Sequence, residues 1–443
     1  MIKPSRWLAA ACCAALALGV AACGNNGGGG SSTSGGGGGN SASAPGVTKT
    51  TVTVGGHFPL TGPAAPGYSE IPVAIQAYFK WVNAHGGING RTLKLIARDD
   101  GYNPTNTVKV TRQLVLQDKI FAMESGLGTP THTKVVDYLN ASKVPDLFVA
   151  SGCLCWDQPQ KHPMTFGFQT DYYVEGKILG QFIANKYKGK KIAYFVQNDD
   201  FGADGAKGLD QYIPKSQVVT RQTYEPGNTD IGPQVAKMKA AGAQVVAAFT
   251  IPAYTALLKL VGVKLNYSPQ VVVSNVGADP TTLKGLLKAF SKGKAGASLI
   301  EGLETDGYLP STADTSNAWI KLFRQIHDKY IPKVPFDGNV EYGFANAYAF
   351  AHALALAGKN PTRQGIVDAV QSGKLDGGPG VVGFRFSKDS HAGYVGAQLA
   401  QVKNGDLVLT GKPLVTDDST GKISETTEPS PSPPPNGIPT GST

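Results

Sequence analysis

The chain lacks the signatures of most enzymes. No Gly-x-Gly-x-x-Gly opens a helix after the first strand-like segment and no Gly-Lys-Ser/Thr loop occurs, so the usual phosphate cradles are missing. Gly378-Pro379-Gly380-Val381-Val382-Gly383 matches in letters only, because it leads into a strand. Ser151 has Gly152 directly behind it and Val149 two places before it, which excludes a nucleophile elbow. The seven histidines are scattered, with no His-Glu-x-x-His among them. Adjacent acids at Asp99-Asp100 and Asp199-Asp200 point in different directions and read as loop caps or ion-pair partners. No catalytic residue, cofactor or metal is expected. The formal charge of +9 is spread over short lysine-containing segments and forms no basic face interleaved with aromatics, so no nucleic-acid partner is expected.

Cysteine is also scarce, with five in 443 residues. Lys3 and Arg6 precede an apolar run over residues 7–20, too short for a spanning helix, which reads as a secretory signal. The run closes as Val20-Ala21-Ala22-Cys23, similar to a bacterial lipobox, in which the cysteine thiol becomes the lipidated N-terminus. Cys12 and Cys13 leave with the signal, and Cys23 is spent on the anchor. The Gly/Ser-rich stretch that follows suits a tether. Cys153 and Cys155 remain for an oxidising compartment, as a tight disulfide or as two thiols. With His162 they match no familiar zinc spacing.

From residue 51 the chain alternates short apolar runs with amphipathic windows, the pattern of parallel sheets covered by helices on both faces. Residues 51–57 form a strand, Ser69 is placed to cap a helix bearing Ala74, Ala77, Tyr78, Trp81 and Val82, and residues 93–97 form the next strand. Further strands are predicted at 120–124, 146–150, 191–196, 218–224, 244–249 and 270–274, and a helix at 131–141. Crossings between lobes are expected near residues 166–170 and 301–309, a strand at 381–386, and a hairpin around Asn404-Gly405. The expected division is a signal peptide at 1–22, lipidated Cys23 and tether over 23–50, a first lobe from 51–170 and 302–375, a second from 171–301 and 376–412, and a disordered Pro/Ser/Thr-rich tail over 413–443. Two α/β lobes with small and polar residues at facing strand ends describe a cleft that closes on a small molecule.

Pro59-Leu60-Thr61-Gly62-Pro63, Gly86-Gly87-Ile88-Asn89-Gly90-Arg91, Asp99-Asp100 and Asp200-Phe201-Gly202 resemble the solute-binding proteins of ABC transporters, in particular the branched-chain amino-acid (leucine/isoleucine/valine) type, over residues 51–410. The resemblance implies the type I periplasmic binding fold, two Rossmann-like lobes joined by three hinge crossings. It also implies an exported, lipid-anchored monomer on the outer face of a bacterial membrane that hands its ligand to an ABC permease. A sensory protein of the same fold that signals to a partner is the alternative. The family's carboxylate- and ammonium-holding positions map near Gly128-Thr129 and Ser151-Gly152-Cys153, its covering aromatic onto Phe201 or Tyr254, its first loop onto Gly67 or Tyr68, and its second-lobe acid onto the loop containing Asn275. That loop has no acid before Asp279, and an unpaired ammonium in a closed cleft is costly. Amides, carboxylic acids and apolar metabolites therefore stand beside amino acids as ligands.

Overall fold

The structure is a computed structural model that describes residues 39–427 and 430–441. The expected signal sequence, with Cys12, Cys13 and Cys23, lies outside the described residues. The first sheet is parallel, with β1 (Thr51–Phe58), β2 (Thr92–Asp99), β3 (Met123–Glu124), β4 (Asp146–Val149) and β5 (Thr165–Gly167) in the order β2-β1-β3-β4-β5. Val52 and Val54 of β1 are buried, whereas edge strand β2 alternates buried Leu93 and Leu95 with exposed Thr92 and Lys94. The predicted helix over 131–141 is instead two short turns, Thr129–His132 and Val136–Ala141. Thr131 Oγ1 bonds back to the carbonyls of Leu127 and Gly128 at 2.6 and 3.1 Å, which holds the first turn against the strand end. Ser69 is no cap; the helix Ile71–Ala84 starts after Glu70, because a preceding turn, Ala65–Tyr68, already occupies Ser69.

The second sheet contains β6 (Ile192–Gln197), β7 (Val218–Tyr224), β8 (Val245–Phe249), β9 (Gln270–Val273), β10 (Glu304–Gly307), β11 (Gly396–Lys403), β12 (Asp406–Leu409), β13 (Leu414–Val415) and β14 (Ser424–Glu425). Its order is β14-β13-β11-β10-β9-β8-β6-β7, with β12 paired to β11. Strands β6 to β10 are parallel, and β11 turns the sheet antiparallel. Every residue of β6 and β8 is buried, as a strand covered on both faces requires.

The lobe boundaries differ from the sequence expectation in three places. Residues 304–307 pair with β9 and β11, so the chain returns to the first lobe after β10 rather than at 302. Residues 376–395 stay with the first lobe: Phe384 and Phe386 join the ring cluster of Phe148, Phe166 and Phe168, and Tyr394 N–H donates to the Phe168 carbonyl. Residues 381–386 consequently form an isolated bridge, Phe384 with Tyr394, in place of a strand. Residues 40–50 are docked rather than tethering, because buried Arg91 takes the carbonyls of Ser41 and Thr48, each at 2.8 Å, as acceptors for its guanidinium.

The tail expected to be disordered packs along both lobes. Tyr78 Oη donates to the Gly437 carbonyl at 2.5 Å, Trp81 Nε1 to Asn436 at 2.8 Å and Trp319 Nε1 to Pro431 at 2.7 Å. Buried Lys177 donates to Thr416 Oγ1, Asp417 Oδ1 and the carbonyls of Asp417, Ser419 and Gly421. Composition misleads here because tail backbone carbonyls satisfy buried donors of the core.

Helices Ala318–Tyr330 and Gly338–Leu356 return to cover Ile71–Ala84 in the first lobe. Gly343 makes the approach possible, since a Cβ there would stand 2.6 Å from the Ile71 carbonyl oxygen.

Candidate functional site

The carboxyl ends of the two sheets face each other across a cavity of about 150 Å³. Tyr68 from the loop after β1, Leu127 to Thr129 after β3 and Ala150 after β4 supply the first-lobe wall. Phe201 after β6, Ile251 after β8 and Asn275 and Val276 after β9 supply the opposing wall. The crossings contribute Gln169 and Tyr172, then Asp306 to Pro310, and the start of helix Gly338–Leu356 contributes Asn339, Glu341 and Tyr342. Strand ends and switch points are where α/β sheets present ligand sites.

The lobes are closed upon one another. Tyr68 Oη donates to the Val276 carbonyl at 2.8 Å, Asn339 Nδ2 to Thr282 Oγ1 at 3.0 Å, Gly338 N–H to Asp279 Oδ2 at 3.1 Å, and Leu154 N–H to Asp204 Oδ2 at 3.1 Å. Gln197 Nε2 also reaches Tyr102 Oη at 3.3 Å. Each such bond contributes a net ~1 kcal/mol, so a handful sets the balance between open and closed forms.

Of the residues singled out in the sequence, Tyr68, Gly128, Thr129, Phe201 and Asn275 line the cavity. Phe201 is held by rings on both sides, Tyr172 at 4.5 Å and Phe249 at 5.7 Å between centroids. Ser151, Gly152 and Cys153 form the layer behind the wall. The hydroxyls of Ser151 and Thr129 meet at 2.7 Å, the Gly152 carbonyl accepts from Tyr172 N–H at 2.7 Å, and Cys153 is joined to Cys155 by a disulfide. Tyr254 is not brought to the cavity. Its ring stacks on Tyr224 at 3.8 Å and its hydroxyl is taken by the Glu225 carbonyl and Gly227 N–H, which makes it a packing residue of the second lobe.

A buried row of side chains fixes the Leu127 to Thr129 loop. Asp100 Oδ2 meets His57 Nδ1 at 2.9 Å, His57 Nε2 meets His132 Nδ1 at 2.8 Å, and His132 Nε2 meets Asp146 Oδ2 at 2.8 Å. All four are fully buried. The row ties the ends of β1 and β2, the turn Thr129–His132 and β4 into one unit, and burial pulls the His57 imidazole below its usual pKa. Gly126 leaves the room it needs: a Cβ there would stand 2.5 Å from His132 Nδ1 and 2.9 Å from His57 Nε2.

Acids from other elements line the cavity where the loop 274–277 offers none. Asp306 from β10, Glu341 and Asp279 all line the cavity. Glu175 stands behind Asn275, accepting from its N–H and Nδ2 at 2.8 Å each and from Ser274 Oγ at 3.1 Å. Burial pushes Glu175 well above the usual carboxylate range, and the neighbouring Asp306 adds to it. Burial raises Asp306 to about 6. Glu341 is raised by burial and then by the fields of Asp279 and Asp337. Among the described residues no Lys, Arg or His lines the cavity, and no group of side chains has the arrangement of a metal site.

Sequence reasoning missed Tyr102, Tyr172, Asp306, Tyr308, Glu341 and Tyr342. Glu341 carried a signal, as the one acid in the apolar window 338–356. Asp306-Gly307-Tyr308 lay inside a recognised crossing but was read as hinge alone.

Residues 51–406 match the family described as periplasmic binding protein. An amino acid binding protein of Pseudomonas aeruginosa is 28% identical over 177 residues, 37% of this chain and 44% of the relative. Leu/Ile/Val-binding protein homolog 2 of Brucella abortus is 26% identical over 218 residues, 45% of this chain and 54% of the relative. These matches span about half the length of the curated relatives. In structure, the fatty acid ABC transporter substrate-binding protein from Thermomonospora curvata superposes with a TM-score of 0.73 at 22% identity, covering 90% of this chain and 97% of that one. A branched-chain amino acid ABC transporter from Thermus thermophilus with bound valine gives 0.71 at 20% identity, covering 83% and 97%. These likenesses show the two-lobed type I fold.

Proposed function

The chain belongs to the periplasmic binding protein family, and on that premise we propose that it captures a small molecule (an amino acid, an amide or a related metabolite) by lobe closure and delivers it to an ABC permease. The observation that carries the reading is the cavity between the strand ends of the two lobes. A ligand that touches both walls favours the closed form by the contacts it makes only there. Tyr68 and Phe201 cover it from opposite lobes, and Thr129 and Asn275 offer polar groups. In this reading Cys23 carries the lipid anchor at the outer face of the membrane, and a monomer docks on the permease. The named ligands of the relatives, amino acids and a fatty acid, bracket the chemistry to be tried.

A thermal-shift screen over amino acids, amides, amines and fatty acids tests the proposal, because a ligand bound only by the folded state raises the melting temperature. One class is expected to raise it in a concentration-dependent way. No shift with any class would count against small-molecule capture.

A further inference from the structure

The cavity is lined by acids and by six aromatic residues, Tyr68, Tyr102, Tyr172, Phe201, Tyr308 and Tyr342, with no basic side chain among the described lining residues. Asp306 is fully buried with Glu175 and Asn275 as its polar neighbours, and neither of its carboxyl oxygens meets a donor in full hydrogen-bond geometry. Glu341 is 3% exposed and its Oε1 is equally unpartnered. A buried carboxyl short of donors is expensive to ionise, and two of them lining one cavity form half of an interaction.

The opposite pole, where a carboxylate would be received, carries no basic side chain. The N–H groups of Gly128, Ala150 and Ser151 donate to the carbonyls of Ala150, Gly126 and Val149, and one of the Thr129 and Ser151 hydroxyls donates to the other, leaving one O–H of the pair outside this bond. An anionic group would face Asp306 and Glu341 with no basic side chain in the lining to neutralise it. A cation would meet both carboxyls within an aromatic lining, and aromatic rings attract ammonium groups. The room in the cavity, about 150 Å³, is enough for a small molecule the size of benzene.

We propose that the ligand is a small organic cation, an amine or quaternary ammonium compound that carries no carboxylate, held between Asp306 and Glu341 inside the aromatic lining. The inference rests on the inter-lobe cavity being the ligand site. In the empty protein Asp306 and Glu175 stand side by side as buried acids, so an arriving ammonium replaces a proton: the carboxyl O–H ionises, the proton leaves to solvent, and the positive charge takes its place.

Isothermal calorimetry on the full mature protein at pH 6, in phosphate and in MES, tests this with putrescine, choline, leucine and octanoate. Putrescine or choline is expected to bind, and the heat should differ between the buffers because a proton is released. Which of the two binds distinguishes a primary amine from a quaternary head group. Asp306→Asn should weaken that binding at least tenfold and abolish the buffer dependence. Should Asp306→Asn fail to fold, Glu341→Gln should also weaken binding at least tenfold. Tighter binding of leucine or octanoate than of either cation would overturn the proposal while leaving small-molecule capture intact. Failure of all four to bind would overturn the proposal, and capture of another compound in the screen would then preserve the function without it.

Discussion

The Tyr68 hydroxyl donates to the Val276 carbonyl at 2.8 Å across the cleft, joining the first loop of one lobe to the loop after β9 in the other. It is a latch made only in the closed form. Tyr68→Phe keeps the ring in the wall and deletes the bond, worth a net ~1 kcal/mol. Ligand affinity should fall about fivefold by calorimetry with little change in the melting temperature of the unliganded protein. Unchanged affinity would remove the latch from the closing equilibrium.

Acids held protonated by burial make the empty protein sensitive to alkali. Burial, then the field of Asp279, raises Asp337 to about 9, and burial raises Asp171 to about 7. In the unfolded chain such groups ionise near pH ~4. Between the unfolded and folded values the native state binds more protons, so stability falls as pH rises. His57 and His391, both depressed by burial, act in the opposite sense only below about pH 6.5. From pH 6.5 to 9 the unliganded protein should lose roughly 1 kcal/mol per pH unit in denaturant titrations. A flat or rising profile would contradict the burial of these acids.

Removing the tail should weaken the core. A chain ending at residue 412 leaves the buried Lys177 ammonium without its five acceptor contacts and strips the acceptors from Tyr78, Trp81 and Trp319. An unpaired buried charge alone costs about 3–5 kcal/mol, which denaturant midpoints would register plainly. An unchanged midpoint would return the tail to the status of an appendage.

Gly126→Ala probes the row beneath the binding loop. The added methyl meets both imidazoles, and overpacking of this kind costs about 1–3 kcal/mol. Displacement of Leu127 to Thr129 should lower ligand affinity by more than tenfold, a larger effect than any on the second lobe. Normal affinity would show that the histidine row does not position the wall.

The parallel strands and the helices between them were legible in the sequence because apolar runs such as residues 192–196 and 245–249 admit no other placement. The hairpin at Asn404-Gly405 was legible for the same reason, its turn residues and flanking runs agreeing. A part of the cavity wall was legible too, at Tyr68, Gly128, Thr129, Phe201 and Asn275, since loops after strands fall on one edge. Its charge was not. Asp306, Glu341 and Asp279 belong to three elements brought together by the second crossing, and only the fold places them around one space. The tail failed for a different reason: most of its contribution is backbone carbonyls, and composition reports side chains.

The most direct test of capture between the lobes is a crystal structure with the compound that raises the melting temperature most. Ligand density is expected inside the cavity, between Thr129 and Phe201 and against Asp306 and Glu341, with the Tyr68 to Val276 bond in place. Density on the outer surface, with that cavity filled by water, would contradict the account.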